Sequence, residues 1–599
     1  MASHTAAQVV AALAAVEVPA NQWPSLLPSL FANVSSSSVE MGPKIASLDA
    51  LGYMCESMNV VDIEKGIVDQ ILNTVISGMS QSSPDPLKKA AVSALLNSLD
   101  FTESNFALDN ERNAIMSAVC STAQSTDIKV REISYQCLAA IAESYYEHMS
   151  PYMATLFPLT TSAIMTDHPS VGMMAIEFWV SIFGVEAEIE EGSLNISQNV
   201  ASHILPLLLD TLLKQGDSED DDEWTIAEAG GLCLKSLVQV VGDSIVPFVI
   251  AFVTKNIQET NWRNKEAGIL AFGTLMESCS TEILHQYVAS ASNFLLLGVV
   301  DANSKIRDTS AWTIGQMLGF HLKSIAPDQV PVILNSLMVA IDDQHVPAAK
   351  NAINSISYFA SAFADDDEGQ SSNHTNGLSP YVPALITKLL LTAAKPECEV
   401  SVEAYEAAST VIENSAIDQS EFIFQVLVEA VTRLEQSFNS TQASNERATS
   451  QILICGVINT CSRKLPSEAI AKCAQNTLSV LLKVLSSDTT NAHEEVFMAL
   501  GFIAEKLGAG FDVYMPHFAP FYIKGLKQLE ETSLCLQVIS SITEVCKSLK
   551  KSILQYSDLI IAELLNILQS DVAHRFSFYI QFIFTQIFPI TIKYFFQGS

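Results

Sequence analysis

IRDTSAWTIGQMLGF, residues 306–320, is the stretch from which the architecture can be read. It opens on a charged turn, runs through small residues at helical spacing and ends apolar. Four other segments repeat that pattern: VREISYQCLAAIAESY from Val130, WTIAEAGGLCLKSLVQVVG from Trp224, WRNKEAGILAFGTLME from Trp262 and HEEVFMALGFIAEKLG from His493. A second kind of helix lies between them, carrying an early proline: QWPSLLPSLFANV from Gln22, ILPLLLDTLLKQ from Ile204 and QVPVILNSLMVAI from Gln329. The two kinds alternate with a period of about 40–45 residues.

That period and the Val130-Arg131 and Ile306-Arg307 helix starts are those of HEAT repeats, in which a proline-bearing A helix precedes a B helix. A hairpin this short cannot bury its apolar stripe alone and must stack on its neighbours. The expected fold is an all-α, right-handed HEAT-repeat α-solenoid. It runs continuously over residues 4–570 as about twelve pairs, with a lone B helix near 4–17 and a lone A helix near 556–570. A helices are expected outside, and B helices along a concave groove.

Composition agrees. Apolar residues make up 49% of 599 and charged residues 16%, which rules out global disorder. Against 32 basic side chains stand 66 acidic ones, a net charge of −34. Such a surface repels nucleic acid and anionic lipid and draws basic partners. The 11 cysteines are scattered singly from Cys55 to Cys546, with no metal-ligand spacing. They read as small hydrophobes in a reducing compartment. MASHTAAQVV lacks the basic start of a signal peptide.

Three segments depart from the period. Residues 216–224 form an acidic turn, GDSEDDDEW, and residues 365–377 a second polar one. The last segment, 576–599, is thick with Phe, Ile and Tyr but interrupted by Gln581, Gln586, Pro589 and Lys593. We read it as non-native or poorly ordered sequence rather than a membrane anchor. No phosphate loop, paired-His helix or nucleophile elbow occurs, and the 11 histidines never cluster. Neither catalysis, nor a cofactor, nor a metal is expected.

Longer stretches carry a more specific likeness: EVPANQWPSLLPSL (17–30), LKKAAVSALLNSLDFTESNF (87–106), IEFW (176–179), the acidic run with its Trp, IRDTSAWTIG (306–315) and AYEAASTVIENSA (404–416). In order and spacing the chain resembles importin-β, the karyopherin nuclear import receptor, over its central portion. The resemblance implies three sites. The family's acidic loop, which touches Ran and cargo, matches Asp217, Glu219, Asp220, Asp221, Asp222, Glu223 and Trp224. Its concave cargo groove matches Glu177, Trp179, Glu228, Trp262, Glu266, Asp308, Trp312, Tyr405 and Glu406. Carboxylates and indole faces there suit Lys and Arg side chains. One groove Trp of the family is replaced, with Ser357 and Tyr358 at that point. Its Phe-Gly nucleoporin pocket matches Leu72, Ile76, Glu111 and Ile115, where Ala114 replaces a larger aromatic.

The implied function is import. Basic localisation signals or an importin-α-like adaptor would bind in the groove, Phe-Gly nucleoporins outside, and Ran·GTP for release. Direct nucleic-acid binding and membrane insertion are not expected, and the implied location is cytoplasm, nucleus and nuclear pore. The family surfaces that lie outside this chain leave Ran binding weakened. The rivals are a HEAT scaffold of another class, such as a phosphatase regulatory subunit, and a karyopherin that binds cargo directly.

Overall fold

The computed structural model describes residues 2–20, 22–58, 65–189, 191–216, 224–364, 374–395, 399–439, 444–487 and 491–569. Among these residues the secondary structure is helix, without a strand. The acidic run 217–223, most of the second long turn and the tail 576–599 lie outside the described residues.

Among the described residues the helices alternate in sequence as twelve A–B pairs, from Leu26–Ser35 with Met41–Ser57 to Met515–Leu526 with Thr532–Leu549. A single helix, Ala2–Glu17, precedes them and another, Leu554–Leu568, follows. The chain divides into two compact units, Met1–Tyr287 and Val288–Ser599. The division falls inside one helix, Thr281–Gly298, where no shift of composition marks it. Each unit is an all-α stack of HEAT type.

Local chemistry starts each kind of helix differently. The A helices Val246–Asn256, Val330–Ala340, Val382–Ala393 and Met515–Leu526 carry proline in their first turn. Proline's fixed φ suits that turn, where its missing N–H costs nothing. Several B helices use side-chain caps. Asp127 Oδ1 accepts from Lys129 N at 2.8 Å and Val130 N at 3.2 Å. Asn303 does the same for Lys305 and Ile306. Each cap satisfies donors that would otherwise be orphaned at the helix start.

B helices stack on one another as well as on their own A helices. In the first unit they run Met41–Ser57, Asp85–Asn97, Ile128–Ser144, Pro169–Glu188, Ile226–Val241, Trp262–Thr274. In the second they run from Ser304–His321 through Val346–Ser361 to Thr532–Leu549. Small residues permit the approach: a Cβ on Gly230 would lie 1.9 Å from Thr211 Oγ1. All described cysteines are free. Burial pushes the Cys137 thiol up to about 12, so it stays protonated and packs as a hydrophobe.

The Arg of each V-R or I-R start ties its pair to the next. Arg131 holds Asp167 through Nε and Nη2 at 2.8 and 2.7 Å, and its Nη1 donates to the carbonyls of Ser125 and Thr126. Arg307 repeats this on Asp343 at 2.6 and 2.8 Å, with Nη1 on the carbonyls of Asp301 and Ala302. Guanidinium and carboxylate match as two parallel bonds.

Candidate binding surfaces

In the first unit the expected groove residues separate into exposed acids and buried aromatics. Glu177 and Glu228 are exposed. Glu228 is also the reciprocal half of a capping box. Its carboxylate accepts from Thr225 N at 2.8 Å and Thr225 Oγ1 at 3.0 Å, while Thr225 Oγ1 accepts from Glu228 N. The charge therefore complements the helix N-terminus and still faces water. Trp224, just outside that cap, is 56% exposed; of the acidic turn, Asp217, Glu219, Asp220, Asp221, Asp222 and Glu223 lie outside the described residues.

Trp179 is corrected by the structure. It is fully buried, donates Nε1–H to Thr160 Oγ1 at 3.1 Å and packs against Phe157, Phe178 and Phe183. An indole with its N–H satisfied inside a ring cluster is a core residue. Glu266 is corrected likewise: it is buried and accepts from Gln215 Nε2. Trp262 is half-buried, with the Arg263 guanidinium 4.6 Å from its ring centroid. Its ring already holds a cation, fixed in turn by Arg263 Nε donating to the Gln215 carbonyl at 3.1 Å.

In the second unit Asp308 is half-buried and accepts from Asn351 Nδ2 at 2.7 Å, and Trp312, one turn on, is half-buried too. Glu406 is exposed. Tyr405 is a correction: it is 6% exposed, and burial pushes its phenol above the ordinary value. Nearby, the half-exposed Tyr358 lies flat over a glycine face, where a Cβ on Gly315 or Gly319 would meet its ring at 3.1 or 3.3 Å.

The expected outer pocket is mostly interior. Leu72 and Ile115 are 4% and 1% exposed. Both are corrected from ligand-facing to core. Ile76 and Glu111 remain half-buried, and Glu111 accepts from Asn105 Nδ2 at 2.7 Å.

Sequence reasoning missed an apolar groove between the A helices Ile196–Thr211 and Val246–Asn256. It encloses about 250 Å³, lined by Leu205, Pro206, Leu209, Phe248 and Phe252 beside Ser202 and Asp210. Phe248 is 62% exposed at its lip. The available signal was VPFVIAF, whose phenylalanines at 248 and 252 are one turn apart and share a face. Among the described residues no group of three or more His, Cys, Asp or Glu side chains forms a metal site.

Comparison with known proteins places this geometry. An importin subunit beta-1-like TPR-repeat family matches residues 332–587, and a HEAT-like repeat family matches 262–317. Importin subunit beta-1 of Arabidopsis thaliana is 33% identical over 606 residues, covering 95% of this chain and 68% of that protein. A solved complex of yeast Kap95 with Nup1 superposes with a TM-score of 0.85 at 27% identity, over 98% of this chain and 69% of that one. Kap95p bound to RanGDP, whose switch loops it drives to the GTP-bound conformation, superposes at 0.72 and 27% identity, over 98% and 70%.

Proposed function

This chain belongs to the importin subunit beta-1 family, and we propose that it is a nuclear import receptor, binding Ran, Phe-Gly nucleoporins and basic cargo segments. The observation that carries the reading is the likeness to Kap95 over 98% of this chain, Kap95 being the protein whose solved complexes hold Nup1 and Ran. The chain spans about two thirds of its relatives' length. A transport receptor needs binding faces and no chemistry of its own, so release is driven by Ran rather than by hydrolysis in this chain.

The basic segment, an importin-α-like adaptor or a localisation signal, is proposed to meet Glu177, Glu228 and Trp262 on the first unit. On the second unit Asp308, Trp312 and Glu406 are proposed to receive it. Exposed carboxylates attract Lys and Arg at long range and form charge-assisted bonds at contact. The acidic run Asp217–Glu223 with the exposed Trp224 is proposed to touch Ran, whose opposing surface is then basic. Phe-Gly rings are proposed to dock between A helices, at Ile76 beside Glu111 and in the groove under Phe248. These activities place the protein in transit between cytoplasm and nucleus through the pore.

Binding of three immobilised probes tests the reading: a basic adaptor segment, a Phe-Gly repeat peptide and Ran·GTP. Retention of all three, with Ran·GTP displacing the adaptor segment, is the expected result. A folded chain that retains neither the basic segment nor the Phe-Gly peptide overturns it.

A further inference from the structure

Trp262 and Glu266 are four apart on the B helix Trp262–Thr274 and share a face, so ring and carboxylate can take one basic segment between them. In this chain both already have an internal occupant. The Arg263 guanidinium lies 4.6 Å from the Trp262 ring centroid. The Glu266 carboxylate, in a residue 8% exposed, accepts from Gln215 Nε2. The two occupants are tied together, since Arg263 Nε donates to the Gln215 carbonyl at 3.1 Å. Gln215 Nε2 also donates to the Leu212 carbonyl at 3.1 Å, and the Asn261 side chain accepts from Arg263 N at 3.1 Å. Both ends of the pair are thus anchored to helix ends. A cation on the ring and an amide N–H on the acid are the two contacts that a bound basic peptide supplies.

We infer that Arg263 and Gln215 are an internal surrogate for the basic ligand, an autoinhibitory pair that swings off Trp262 and Glu266 before a Lys- or Arg-bearing segment of a partner takes its place. The inference rests on the groove reading above and names how the Trp262 site is regulated. Without the Gln215 amide, a buried carboxylate loses a donor at a cost; the pair keeps the empty site satisfied. Exchanging one cation for another on the ring is nearly neutral, so apparent affinity falls with the fraction of time the ring is free. Selectivity follows. A chain with 66 acidic side chains draws any basic segment at long range. A segment bringing only a cation replaces Arg263 alone and leaves Glu266 short of its donor. One bringing a cation and a donor at the right spacing replaces both.

Anisotropy of a labelled basic adaptor segment tests this at about 0.15 M salt, where attraction beyond about 8 Å is screened. Arg263→Gln should tighten binding about two- to five-fold, the worth of one surface cation–ring contact. Lys255→Gln removes the same charge from an exposed position on the A helix Val246–Asn256 and should not. In a Trp262→Ala background Arg263→Gln should give no gain, because no ring is released. Gln215→Ala leaves every charge in place and should also tighten binding, which keeps a reading available where Arg263→Gln fails to fold. Unchanged or weaker binding in the folded variants, a gain that Lys255→Gln matches, or a gain that persists without Trp262 overturns the proposal. A native chain that does not bind the segment counts against the import reading instead; the self-occupied site then stands if Arg263→Gln recovers binding and falls if it does not.

Discussion

Replacing Arg307 with Ala removes the cation that joins two successive repeats of the second unit. Four bonds are lost: two to Asp343 at 2.6 and 2.8 Å, and two to the carbonyls of Asp301 and Ala302 at 3.0 and 3.3 Å. The side chains of Arg307 and Asp343 are 19% and 10% exposed. Fully exposed pairs contribute about 0.2–1 kcal/mol, and breaking a fully buried one costs about 3–5 kcal/mol. A pair at this depth belongs between, and Asp343 keeps the His345 N–H at 2.9 Å after the change. The expected loss is therefore about 2 kcal/mol. A long repeat array need not unfold in one step, so the assay is native-state hydrogen exchange in Ser304–His321 and Val346–Ser361. Protection should fall there, with Ile128–Ser144 in the first unit as the internal control. The pair also sets a pH dependence. Arg307 holds the Asp343 carboxyl below its ordinary value. Its stabilisation is complete above the unfolded carboxylate pKa of about 3.9 and is lost as pH falls through the folded value. The Arg307→Ala chain should therefore show a shallower acid dependence in those two helices. Unchanged protection at neutral pH, or an acid dependence identical to the native chain, refutes the reasoning.

Three further outcomes are expected. Phe248→Asp should leave stability within about 0.5 kcal/mol, since the ring is exposed, yet weaken Phe-Gly peptide binding; Ile76→Asp, half-buried beside Leu72, should lower the melting temperature as well. Asp308→Asn with Glu406→Gln should slow association of a basic adaptor peptide and flatten its salt dependence, read by stopped flow at two ionic strengths. Lys550→Gly should stabilise the turn before Leu554–Leu568 by about 1 kcal/mol, measured by hydrogen exchange. Its φ of 50° and ψ of −112° put a side chain where Gly242 and Gly508 serve in the matching turns, at φ 62° and 54°.

The repeat was legible because its signals are local: an early proline for one helix, a charged start and small residues for the other. Even a tie between repeats left a trace, since Arg131 to Asp167 and Arg307 to Asp343 span the same 36 positions. The binding faces were less legible because a B helix is wedged among three neighbours. Only a narrow stripe of it meets water, and composition does not announce which stripe. Helical geometry does constrain the choice. Glu177 and Trp179 are two residues apart and cannot share a face, nor can the adjacent Tyr405 and Glu406. In both pairs the acid is exposed and the aromatic buried, the arrangement that desolvation demands, since an unpaired buried carboxylate costs far more than an exposed ring. Asp308 and Trp312 are four apart, share a face and are both half-exposed. Spacing therefore separates Asp308 and Trp312 from two pairs that cannot grip a basic side chain together; Trp262 and Glu266 are also four apart, and there it is the burial of Glu266 that removes the acid. Trp312→Ala should accordingly weaken adaptor-peptide binding several-fold with the fold intact. Trp179→Ala should instead unfold its repeat, at a cost of about 3–5 kcal/mol for a buried aromatic. If equilibrium binding and thermal melts give the two variants the same profile, spacing is no guide to these faces.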